Sequence, residues 1–158
     1  MLSVSQAQEL IASYSKNFGY AEVSLNDALN RILAEDILAD RDYPPFNRSA
    51  MDGYAVVLSD FNNANEAIAL KLIDTVMAGE VSTKKVVAGT CIKIMTGAPV
   101  PDGGEAVVRV EDTEQKGNDV FFNINEIRKK QNIALQGEDA KSGDLVLRKN
   151  TLLDAFSI

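Results

Sequence analysis

The apolar positions of this chain recur at two different periods. Near the start, Ala7, Leu10, Ile11 and Tyr14 fall on one face at helical spacing. Ser3 and Gln6 stand just ahead of them at the spacing of a capping box, so a helix is predicted from Ser3, ended by Gly19. The stretch "AEVSLNDALNRILAEDI" repeats the pattern. Ser24 with Asp27 offers a cap, and Leu25, Ala28, Leu29 and Ile32 make the stripe of a short second helix, expected to be buried. Ile37 to Ala39 reads as short and extended.

Pro44 and Pro45 interrupt this region. Each proline pushes the residue before it out of the helical basin, so a rigid extended link, and with it a domain crossing, is expected there. From Gly53 to about Gln131 the period becomes two. "YAVVL", "IALKLIDTVM", "TCIKIM", "EAVVRV" and "VFFNI" read as strands, parted by turn signals at Gly79, Gly89, "GAPVPDGG" and "KGND". Short strands with turns between them predict a small barrel or sandwich. "FNNANEA" is expected to be an exposed loop. Further on, turns at Gly137–Asp139 and Ser142–Gly143 precede a strand at Leu145–Leu147. "TLLDAFSI" then opens like a helix, with Thr151 as cap and Leu152, Leu153 and Phe156 apolar. It carries no stop signal, so a continuation past Ile158 is expected. The expected fold class is α+β. Residues 1–43 plus 136–158 form a mixed helix–strand domain, and residues 44–135 form an inserted β-rich, barrel-like domain.

Composition adds limits. Hydrophobic residues make up 46% of the 158 and charged residues 25%, an ordinary globular balance that can bury a core. The net charge of −7 argues against a nucleic-acid or anionic-membrane surface, because both need a basic footprint. With no histidine, His-based catalysis and His-ligated metal are excluded within this chain. Cys91, the single cysteine, cannot form an internal disulfide and sits in an apolar alternating stretch, so a buried structural thiol is expected. Neither a signal-peptide pattern nor an apolar run of spanning length occurs, which leaves a soluble cytoplasmic protein as the expectation.

Three stretches crowd small residues around polar ones. In "NRSAMDGYA", Asp52–Gly53 precedes an alternating run, which on local chemistry reads as a hairpin turn. Ser49, Ala50 and Gly53 would also let a chain segment or ligand come near Asp52. In "IMTGAPVPDGGEAVV", Thr96 beside Gly97 can present a hydroxyl and backbone N–H groups to an anion, although a plain interstrand loop has the same composition. In "LQGEDAKSGD", Glu138 and Asp139 adjoin a glycine, as solvated turn residues do. Glu80 in "MAGEV" and the Arg128–Lys130 run read as solvated surface.

Together and in this order, "RDYPPFNRSAMDGYA", "AGE", "IKIMTGAPVPDGGEAVVRVED" and "GEDAKSGD" resemble the N-terminal region of the MoeA family. These are the molybdopterin molybdotransferases that include the gephyrin E domain, and the resemblance extends over essentially the whole chain. It implies insertion of molybdate into adenylated molybdopterin, assisted by Mg²⁺, in molybdenum-cofactor biosynthesis. It implies an elongated homodimer, and a pterin-binding domain and a small β domain following this region. It places the family's functional aspartates on Asp52 and Asp139 and its threonine on Thr96, lining a cleft that faces the partner's pterin-binding domain. Members of the family usually carry an arginine five residues before that second aspartate. Here Ala134 stands there, so the anion contact implied at that position lacks its side chain.

Charge narrows these roles. Bare carboxylates repel molybdate and phosphates. Asp52 and Asp139 are therefore expected to hold hydrated Mg²⁺ that bridges to substrate oxygens, or to position a water for cleavage of the adenylate. Thr96 is expected to donate to a phosphate or molybdate oxygen. Arg48, Ser49 and Gly97 are expected on the substrate side, with Arg48 as the neutralising cation or else in a surface ion pair. This chain alone is expected to be inactive. A non-catalytic dimerisation or scaffold module is the alternative, and a Mg²⁺-dependent hydrolase a remote third.

Overall fold

The structure, a computed structural model, describes residues 2–16, 18–61, 68–124 and 126–158. One α-helix, α1 (Val4–Tyr14), is followed by ten strands: β1 (Ile37–Leu38), β2 (Arg48–Ser49), β3 (Gly53–Val56), β4 (Ile68–Val76), β5 (Thr90–Ile94), β6 (Ala106–Arg109), β7 (Thr113–Lys116), β8 (Asp119–Phe122), β9 (Ile133–Ala134) and β10 (Leu145–Leu147). The chain is thus mostly strands with one helix, so the α+β expectation holds only in its β-rich part. The loop expected at "FNNANEA" lies, from residue 62 onward, outside the described residues.

By its contacts the chain divides into two units, residues 1–37 with 145–158, and residues 38–144. The first crossing falls earlier than the Pro44 expected from sequence. The Tyr43–Pro44 peptide bond is cis.

In the smaller unit, α1 starts as its sequence predicts. The Ser3 hydroxyl accepts the Gln6 N–H at 3.2 Å, and the Gln6 side chain accepts the Ser3 N–H at 2.9 Å. The helix ends at Tyr14, ahead of Gly19. The second predicted helix is only a short 3₁₀ turn, Leu25–Asp27. The predicted C-terminal helix is absent for the same reason. Residues 30–33 and 150–153 pair antiparallel, with Asn30 N–H donating to the Leu153 carbonyl at 2.8 Å and Leu33 N–H to the Thr151 carbonyl at 2.9 Å. That long-range ladder takes the backbone groups both helices would have used. Ala28 is the one buried residue among those described in this unit, and Leu10, Ile11 and Tyr14 on α1 are exposed. An eleven-residue helix without a packed face is marginal by itself. Amides of Val4–Tyr14 are accordingly expected to exchange with deuterium orders of magnitude faster than those of Tyr54 and Val56. Equal protection by exchange mass spectrometry would show that α1 is held by more than its own hydrogen bonds.

The larger unit is built on a six-stranded sheet ordered β6-β3-β5-β4-β8-β7. Only the β4–β5 pair is parallel. β6 and β7 lie at opposite edges, yet only Val110–Asp112 joins them. Four Cα steps reach at most about 15 Å. A flat sheet would hold its edges about 24 Å apart, at ~4.8 Å per strand gap. The sheet must therefore curl into a half-barrel, as the barrel-like expectation required. Its two faces form two cores. Tyr54, Val56, Cys91, Val108 and Phe122 pack on one side, and Ala55, Ile92, Ile94 and Val107 on the other. Every residue of β3 is buried, which fixes the strand that follows Asp52. Cys91 is the structural thiol expected, its pKa pushed up to about 12 by burial, with the Asp60 charge adding to the shift.

Candidate functional site

Asp52 occupies the bend between β2 and β3, with its backbone carbonyl fixed by the Val110 N–H at 3.0 Å. One carboxylate oxygen, Oδ1, accepts two hydrogen bonds from Thr96, from the backbone N–H at 2.7 Å and from the hydroxyl at 2.7 Å. The Thr96 backbone bond, then its hydroxyl, hold the Asp52 carboxyl below the usual carboxylate range, against a smaller upward push from burial. The other oxygen, Oδ2, has no hydrogen-bond partner among the described residues, and the residue is exposed. So the site presents an oriented, ionised oxygen.

Thr96 sits in the turn that leaves β5, and that turn is braced by β2. Gly97 N–H donates to the Ser49 carbonyl at 2.8 Å, and Ser49 N–H donates to the Ala98 carbonyl at 2.9 Å. Ala98 N–H closes the turn on the Met95 carbonyl at 3.0 Å. The N–H groups of Thr96, Gly97 and Ala98 are therefore all committed within the protein. The donors that "TGA" could offer an anion are engaged here with Asp52 and β2. Gly97 has φ +83° and open space where a side chain would stand, so the turn offers room but no free donor.

The neighbours of Asp52 divide into built-in and open groups. Ser49 is 1% exposed, and its hydroxyl donates to the Met51 carbonyl at 2.6 Å. Its work is inside the turn, and a direct substrate contact does not follow from that geometry. Gly53 likewise serves packing rather than approach, because an added Cβ would fall 2.0 Å from the Val108 carbonyl oxygen. Arg48 is exposed, and no ion pair holds it among the described residues. It stands directly across the β2–β9 pair from Ala134, whose side chain leaves that face clear.

Asp139 is exposed, and its carboxylate makes no hydrogen bond or ion pair among the described residues. Its backbone is anchored. Asp139 N–H donates to the Tyr43 carbonyl at 2.9 Å, and Tyr43 N–H donates to the Ala140 carbonyl at 2.7 Å. Side chains from a distant part of the chain hold the flanking residues. The Asn47 side-chain oxygen accepts the Gln136 N–H at 2.9 Å, and Asp42 accepts from Gln136 and Ser142. Sequence reasoning missed Asn47 and Asp42, since nothing in "RDYPPFN" marks them off from ordinary turn formers.

The open oxygens fit a hard divalent cation in kind. They belong to the carboxylates of Asp52 and Asp139, and Asp52 is held ionised by the Thr96 bonds. Among the described residues no three His, Cys, Asp or Glu converge to cage a metal.

The pattern described as "MoeA N-terminal region (domain I and II)" matches residues 2–158. The chain belongs to this family. A molybdopterin molybdenumtransferase of Staphylococcus aureus is 38% identical over 159 residues, covering 99% of this chain and 38% of the relative. One from Staphylococcus epidermidis is 38% identical over 157 residues, covering 98% of this chain and 37% of its own. A crystal structure of the molybdopterin biosynthesis MoeA protein of Pyrococcus horikoshii superposes with a TM-score of 0.80 at 41% identity, over 85% of this chain and 36% of that one. A second MoeA structure from that organism gives 0.82 at 31% identity, over 99% and 40%. The chain thus spans well under half the length of these MoeA relatives. Among its described residues no helix is long and apolar enough to cross a membrane.

Proposed function

We propose that this chain is the N-terminal part of a molybdopterin molybdotransferase and supplies one wall of its active site. The observation that carries the reading is the Asp52–Thr96 pair: two donors fix one carboxylate oxygen and leave the other open. The substrates are molybdate and adenylated molybdopterin, both anionic, so a lone carboxylate would repel them. Asp52 and Asp139 would hold Mg²⁺ on this wall, and the ion would supply the charge neutralisation that lets anionic substrate approach them. Thr96 orients Asp52 rather than touching substrate, and Ser49 and Gly97 shape that turn. Arg48 is the cation on this wall, and it stands across the β2–β9 pair from Ala134, the position where family members usually carry an arginine.

The rest of the reading goes with the whole protein. The pterin-binding domain lies in sequence that this chain does not include, the intact protein is a cytoplasmic homodimer, and residues 38–144 fold as a domain inserted into 1–37 plus 145–158. Purified intact protein carrying this region is the sample for the test, with molybdate, Mg²⁺ and adenylated molybdopterin supplied and the molybdenum cofactor formed as readout. Asp139→Ala is expected to lower turnover at least about tenfold, the lower end for a metal-positioning or acid–base group, without lowering the melting temperature. Residues 1–158 alone should give no turnover. Full turnover by Asp139→Ala would remove that carboxylate from the site, and turnover by the isolated chain would overturn the composite-site reading.

A further inference from the structure

Asp42 lies outside the residues assigned above, yet it grips the Asp139 loop from both sides. Its Oδ1 accepts the Ser142 N–H at 3.0 Å, and its Oδ2 accepts the Gln136 side-chain amide at 2.8 Å. Those donors stand three residues after and three residues before Asp139. The backbone between is pinned to Tyr43, next to Asp42, by Asp139 N–H at 2.9 Å and Ala140 N–H at 3.2 Å. Gly137 belongs to the same device. It is buried and stands at φ +68°, where a residue with a side chain would be strained, so glycine suits the turn that brings the loop onto the carboxylate.

We propose that Asp42 is a positioning residue for Asp139, a carboxylate clasp that closes the 136–142 loop and fixes where the Asp139 side chain stands. The inference rests on the role proposed above for Asp139. An ionised carboxylate suits the task, since each oxygen accepts from a separate donor. The Ser142 N–H, then the Gln136 amide, hold the Asp42 carboxyl below its usual range, which keeps it charged at neutral pH. Asparagine can still accept through one oxygen, but it turns an NH₂ group toward the other donor. Alanine releases both. The Tyr43 backbone bonds survive either change, so the loop should keep its path while losing its clasp.

Turnover of the intact protein under Asp42→Ala, Asp42→Asn, Asp139→Ala and the Asp42→Ala/Asp139→Ala double variant tests this as a double-mutant cycle. Asp42→Ala is expected to lower kcat roughly tenfold, as loss of an outer-shell partner does, with the KM for molybdate little changed and Asp42→Asn in between. The double variant should be no slower than Asp139→Ala alone, because Asp42 acts through Asp139. Should Asp42→Ala not fold, the same cycle run with Asp42→Asn decides. Full kcat in a folded Asp42 variant, with Asp139→Ala impaired, overturns the clasp and leaves the Asp139 reading intact. A loss that multiplies in the double variant also overturns it, by showing a general structural role. Full turnover by Asp139→Ala overturns the Asp139 reading, and the clasp with it.

Discussion

Asp52→Ala in the intact protein is expected to lose about a hundredfold or more of molybdate insertion, and Asp52→Asn nearly as much, with little change in melting temperature. The two variants separate charge from shape. Asparagine can keep an oxygen where Oδ1 accepts the Thr96 N–H and hydroxyl, so the turn stays closed. What it loses is the negative charge with which Asp52 would hold Mg²⁺. The fold should tolerate both changes, because the Thr96 turn is also held by the exchange of backbone bonds among Ser49, Gly97 and Ala98. Near-normal insertion by Asp52→Asn would show that the carboxylate's charge is not used.

The same geometry sets a pH dependence. The folded-state pKa of Asp52 is depressed, so the Thr96–Asp52 link is fully present above the unfolded carboxyl's ordinary value and is lost as pH falls through the folded value. Thr96→Val removes the hydroxyl donor and keeps the backbone donor. The acid limb of the kcat/KM profile should therefore move to higher pH, while the neutral plateau is reduced because Asp52 is held by one bond instead of two. An unmoved limb would mean that some other group sets it.

What the sequence reveals and what it hides differ by the range of the interaction. The Ser3–Gln6 capping box is local and was legible, as were β3, β4, β5, β6 and β8, whose apolar content between turn signals reflects burial on a sheet. β7 was not legible, because "TEQK" at an exposed edge carries no apolar period. β2 and β9 are too short to show any period. The second and last predicted helices failed where residues 30–33 and 150–153 found each other across the chain. The site follows the same rule. Asp52 is visible as Asp-Gly before a strand, but the bond that gives it direction comes from Thr96, 44 residues away. The "TGA" turn has the composition of an anion nest, and only the tertiary structure shows its donors already taken. Asp42 and Asn47, which shape the Asp139 loop, act across about a hundred residues and leave no local mark.

Gly53→Ala should be the most destabilising single-methyl change in this region, by roughly 3 kcal/mol or more, beyond the usual cost of overpacking. A Cβ there would lie 2.0 Å from the Val108 carbonyl oxygen and 2.9 Å from the Val108 carbonyl carbon, both backbone atoms with no rotamer to yield. Gly53 pairs with Ile94 on one side and Arg109 on the other, so β3 cannot slide away from β6 without disturbing β5. Relief requires β6 to peel outward, exposing Val107 and Val108, both 0% exposed now. Gly97→Ala is the matched control. Open space surrounds that position, and its cost comes only from φ +83°, about 1–2 kcal/mol. Urea unfolding followed by fluorescence of Tyr54 and its neighbours should place the Gly53→Ala midpoint well below that of Gly97→Ala. The alternative, that Gly53 is small so that a ligand can approach Asp52, makes the opposite forecast: unchanged unfolding with lost turnover. Measuring midpoint and turnover on the same Gly53→Ala sample decides between the two, and an unmoved midpoint would sink the packing account.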